Sequence, residues 1–150
     1  MAPGRPVAAT LAAVLSAALA AGCSSGASDA ELAYASDYAG HPHLRVTGYP
    51  VTGTLDVVQQ VVWRLADGAG GRLEKLASSD GSAAEHRAAA AAWVGEYQQG
   101  ARGPVTADFG DDPADRQTVR LSFHDTGQVK ELTLRLDGRA GDAGWRVLLK

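Results

Sequence analysis

The spacing of apolar positions along the chain changes from a helical period to a period of two near residue 100. Leu55, Val58, Val61, Val62 and Leu65 recur at helical intervals until Asp67-Gly68 stops the run. Thr54 stands where an N-cap belongs, and Asp56 in the first turn suits the positive end of the helix dipole. "GRLEKLA", residues 71–77, predicts a short helical turn with Leu73 and Leu76 inward. Ser82-Ala83-Ala84-Glu85 reads as a capping box, opening a helix that ends at Gly100. On that helix His86, Ala89, Ala90, Trp93 and Tyr97 share one stripe. Beyond it, Val105/Ala107/Phe109, Val119/Leu121/Phe123, Leu132/Leu134/Leu136 and Trp145/Val147/Leu149 alternate with polar residues. Such alternation predicts strands with one buried and one wetter face. "DTGQ" and "DGRAGDAG" supply turns, so the four strands are expected to form an antiparallel meander. Val129 is out of phase with the Leu132 series, which marks a bulge or a strand start. The prediction for residues 54–150 is therefore an α+β domain of two or three helices packed on a four-stranded antiparallel sheet.

The first 53 residues read differently. Arg5 is followed by the uncharged run "VAATLAAVLSAALAAG", residues 7–22, shorter than the roughly 20 strongly apolar residues of a membrane span. A charged start, an apolar stretch and small residues at its end describe a secretory signal. Residues 24–30, "SSGASDA", have the composition of a flexible tether. Residues 31–53 form a partly ordered lead-in, in which Tyr34 and Tyr38 are spaced to share a helical face and "HLRV" to start a strand.

Ala20-Ala21-Gly22-Cys23 resembles the lipobox of bacterial lipoproteins, although Ala20 stands where leucine is usual. The resemblance implies cleavage between Gly22 and Cys23 and attachment of a diacylglyceryl group to the only cysteine, leaving the mature protein anchored on the extracytoplasmic face of the cell membrane. Two acyl chains make a lasting tether where one gives marginal binding. Loss of Arg5 takes the formal charge from -3 to -4, so attraction to anionic lipid adds little. The domain itself, through its order of elements and its closing "GWRVLL" strand, resembles the nuclear transport factor 2-like, or cystatin-like cone, superfamily. No strand is evident between its first helices and the long one. Arg outnumbers Lys eleven to three, and Asn and Ile are absent, a bias of the kind that high-GC Gram-positive genomes impose.

Candidate chemistry is sparse. No basic region offers a footprint for nucleic acid. "GAGGRL" lacks the third glycine and the preceding strand of a dinucleotide fingerprint. His41-Pro42-His43 supplies two imidazoles, too few for zinc. Asp108, Asp111, Asp112 and Asp115 lack the alternation of a calcium loop. Neither a metal nor a cofactor is therefore expected. The enzymes of the cone superfamily, isomerases and cyclases, place an acid/base pair inside the cone, but here His124 and Asp108 fall on the polar sheet face and His86 stands alone.

The expectation is an exported lipoprotein whose domain binds rather than catalyses. Trp63, off the apolar stripe of its helix, either packs against the lead-in or faces an envelope protein. His86, Trp93 and Tyr97 either fill the core or line a pocket for a small apolar ligand. A cone-type enzyme is the remaining alternative.

Overall fold

The structure, a computed structural model, describes residues 26–111, 114–138 and 141–150. The proposed signal segment, the cleavage site at Gly22 and the anchor Cys23 lie outside these, as does Asp112. The chain folds as α+β. Its elements are α1 (Asp29–Gly40), β1 (Arg45–Gly48), α2 (Thr52–Asp67), α3 (Gly70–Glu74), α4 (Ala83–Ala101), β2 (Val105–Phe109), β3 (Arg116–Phe123), β4 (Gln128–Leu136), a 3₁₀ turn (Gly141–Gly144) and β5 (Trp145–Val147).

The sheet corrects the expectation of four antiparallel strands. It has five strands in the order β1-β2-β3-β4-β5, and β1 runs parallel to β2. The other three pairings are antiparallel, as a meander requires. The added strand comes from "HLRV" in the lead-in, which also supplies α1. Ser28 caps α1 through a capping box with Glu31. Residues 76–78 lengthen the opposite edge: Val147 donates to the Leu76 carbonyl and Ser78 donates to that of Val147, making a single parallel bridge at Ala77.

Helix α2 starts earlier than its sequence suggests. Val51 is the N-cap, and Thr54 sits inside the first turn, where its hydroxyl both accepts from Val51 N–H and donates to the Val51 carbonyl. Gly68, at φ 69°, closes the helix in the left-handed region that favours glycine. The capping box at Ser82 and Glu85 forms as expected. Val129 marks a strand start and no bulge: β4 pairs with β3 without interruption from Gln128 to Arg135, and Val129 points outward opposite Ser122.

One hydrophobic core lies between α2, α3 and α4 and a single face of the sheet. Val58, Val61, Leu65 and Leu73 meet Ala107, Val119, Leu121, Phe123, Leu134 and Val147 there, all sealed from solvent. At about 100° per residue, Trp63 lies roughly 160° from the centre of the α2 core stripe. It is nonetheless only 1% exposed, because α1 covers it. The molecule thus has three layers: the sheet, the α2–α4 helices, and α1 on the side of α2 turned away from the sheet.

Candidate functional site

The outward face of the sheet has no described element over it. Strand pairing sorts its side chains into rows perpendicular to the strands. In one row Asp108, Arg120 and Glu131 are direct neighbours on β2, β3 and β4. The signs alternate, and Thr47 Oγ1 donates to Asp108 Oδ1 at 2.7 Å. The next row is neutral, with Thr118 opposite Thr133. The last sets Arg116, Arg135 and Arg146 side by side on β3, β4 and β5. Like charges placed directly opposite destabilise a sheet, so this row opposes folding where the first supports it.

Few local groups relieve that row. Arg135 Nη1 lies 2.6 Å from Asp80 Oδ2, with both side chains nearly half exposed, and such a pair is worth about 0–1 kcal/mol. Arg146 Nη1 donates to the backbone carbonyls of Ala143 and Trp145, both at 2.7 Å. Among the described residues, neither Arg116 nor Arg146 has a carboxylate partner. Asp137 accepts the Ser79 N–H at 2.7 Å.

Trp63 is no part of a contact surface. Its indole lies beneath Tyr34, Tyr38 and His41, with ring centroids 5.6, 6.2 and 5.4 Å away. Of the two alternatives for Trp63, packing against the lead-in is the one found in place of a partner surface, since α1 brings both tyrosines down on one side of α2. Ion pairs fasten this aromatic layer. Arg64 donates to both oxygens of Asp37, and that bond holds the Asp37 carboxyl below its ordinary value. His41 Nδ1 is 2.7 Å from the Asp37 carbonyl oxygen and Nε2 is 2.8 Å from Asp67 Oδ1. Both neighbours only accept, so these contacts favour the imidazolium, with a proton on each ring nitrogen. Burial opposes that charge, but the two acceptors outweigh it and raise the His41 pKa above 6.5. His43 goes elsewhere, stacking on Tyr38 at 4.1 Å, so the two imidazoles do not converge. No group of three metal-ligating side chains occurs among the described residues.

His86, Trp93 and Tyr97 separate. Trp93 and Tyr97 are 4% and 6% exposed and belong to the core. Tyr97 stacks on Phe123 at 5.3 Å, Trp93 Nε1 donates to the Lys150 carbonyl at 3.0 Å, and the Lys130 ammonium sits 4.3 Å above the Trp93 ring. His86 is only half-buried. Its Nε2 faces the Asp80 carbonyl at 2.5 Å, and its ring borders an open surface groove of about 800 Å³. Ala88, Ala89 and Ala92 wall that groove on one side and Leu148 and Leu149 on the other, with Arg116 at the margin of the bare sheet face. His124 lies on the polar face, 2.8 Å from Thr106 Oγ1. Among the described residues no carboxylate–imidazole pair lies within the helix–sheet core.

The arginine row was not foreseen. Alternation places Arg120 on the polar face, but only the pairing register reveals which charges become neighbours. No protein-family model matches the chain, and no curated protein or solved structure proved significantly similar to it.

Proposed function

We propose that this protein is a lipid-anchored envelope module that binds a partner through the bare face of its sheet and catalyses nothing. The observation that carries this reading is the contrast between the two sheet faces. The inner one is closed over by side chains, whereas the outer one has no described element over it and carries three arginines adjacent in register. A filled interior argues against a ligand carrier or enzyme working within the cone. The anchor reading rests on the lipobox-like residues ending at Cys23 and on the low content of charge before them. Among the described residues no helix is long and apolar enough to cross a membrane.

Two experiments on the full chain test the reading. Cys23→Ser should abolish incorporation of labelled palmitate and shift the protein out of the membrane fraction. A photo-crosslinking residue at Thr118, on the bare face, should yield a discrete adduct in intact cells. The same residue at Ala91, exposed on α4, should not. Equal adducts from both positions, or none from Thr118, would remove the case for the sheet face.

A further inference from the structure

The arginine row, read for the chemistry it would recognise, specifies the partner. This step rests on the sheet-face reading above and goes on to name what meets that face. Adjacent strands lie about 4.8 Å apart, so the backbone sets Arg116, Arg135 and Arg146 at about that interval along a line crossing the strands, and their long side chains reach from there. The row opposes the sheet's own pairing rule, while the Asp108–Arg120–Glu131 row on the same face obeys it. Local departures from such rules concentrate at functional sites. Among the described residues the one ion pair made by the row is that of Arg135 with the exposed Asp80, weak enough to be exchanged.

We infer that the row binds an acidic segment of a protein partner, with carboxylates presented along one face of a helix. Residues four apart on a helix have Cβ atoms about 5–6 Å apart, close to the strand interval, whereas same-face residues of an extended chain are roughly 6.7 Å apart. Guanidinium groups pair with carboxylates through two parallel hydrogen bonds, which gives the row directional selectivity beyond net charge. Thr118 and Thr133, immediately beside the row, are short enough to let a helix approach. A helix laid over an uncovered sheet face is also the ordinary way such a face is covered. The membrane is a less suitable counter-surface. The chain enters through α1, which lies on the side of α2 opposite the sheet, so the first described residues are across the molecule from the bare face.

The test uses the full-length lipidated protein in uncharged detergent micelles. Its probe is a labelled helical peptide of about 18 residues with glutamates at i, i+4 and i+7, followed by fluorescence anisotropy. A peptide of equal composition, with its glutamates scattered around the helix, is the control. The acid-faced peptide should bind at least about five-fold more tightly. The Arg116→Gln/Arg146→Gln double variant should lose about ten-fold in affinity, or about 1.4 kcal/mol. Arg87→Gln, on exposed α4, should change it by less than about two-fold, within the range of an exposed charge. A urea midpoint for each variant shows that it is folded. Equal binding of the two peptides, no binding, or an unaffected double variant would overturn the proposal. So would tighter binding of polyphosphate or of phosphatidylglycerol vesicles. A Thr118 adduct that forms while the peptide series fails would leave the sheet-face reading standing and remove only the acidic-helix partner.

Discussion

Replacing each of two buried tryptophans by phenylalanine should have unequal consequences, because among the described residues only one of the two has a partner for its indole N–H. Trp63 is 1% exposed and Trp93 4%, so the apolar loss is similar at both sites. Removing one or two methylene equivalents costs about 1–2 kcal/mol. At Trp93 the change also removes the bond to the Lys150 carbonyl, worth about 1 kcal/mol, and weakens the contact with the Lys130 ammonium, worth about 0.5–1 kcal/mol. Trp93→Phe should therefore cost about 2–4 kcal/mol. At Trp63 the Nε1 atom is buried with no hydrogen-bond partner among the described residues. A stranded donor of this kind costs about 1–3 kcal/mol, which phenylalanine would recover. Trp63→Phe should fall between about 2 kcal/mol stabilising and about 1 kcal/mol destabilising, since the two terms offset. Urea unfolding followed by far-ultraviolet circular dichroism measures both. A Trp63→Phe loss equal to or larger than that of Trp93→Phe would refute the reasoning, by showing that the Trp63 N–H is satisfied.

Two further perturbations probe the layers. The His41 pKa is raised in the folded chain, so the stability it contributes is complete below its unfolded value of about 6.5 and is lost as pH rises through the folded value. Asp37, held low by Arg64, contributes above its unfolded value near 3.8 and loses that contribution as pH falls through the folded one. Hydrogen-exchange protection of α1 should accordingly be greatest between these limits, and His41→Gln should flatten its alkaline side; an unchanged profile would contradict the imidazolium assignment. Gly100→Ala should destabilise the fold by about 1–3 kcal/mol in the same urea assay, because a Cβ there would meet Thr126 Oγ1 at 2.7 Å and Phe123 Cβ at 2.8 Å; a neutral result would mean that α4 can shift away from β3.

Much of the fold could be read from the residues because local and global signals agree in them. The valine stripe of α2, the Ser82–Glu85 box and the alternating β2, β3 and β5 runs are each decided by near neighbours. What escaped depends on distant pairing. β1 is a four-residue edge strand exposed throughout, so no alternation marks it, and its parallel partner lies some sixty residues away. The edge at Ala77 rests on one bridge, too short for any period. The first turns of β4 carry Lys130 inward and Val129 outward, against the hydrophobic pattern, because the Lys130 stem can cover Trp93 and Tyr97 while its ammonium sits over their rings. The arginine row was hidden for the same reason: each arginine looks like an ordinary polar-face residue until register sets it beside the others.

Arginine modification by phenylglyoxal, compared between intact cells and the purified full-length protein, tests the central claim most directly. Arg72 and Arg87, exposed on the helical side, serve as references. If the bare face is occupied in the envelope, Arg116, Arg135 and Arg146 should be protected in cells and become reactive on purification, while the two references react alike in both. Equal reactivity of the row in cells and in solution would contradict the account.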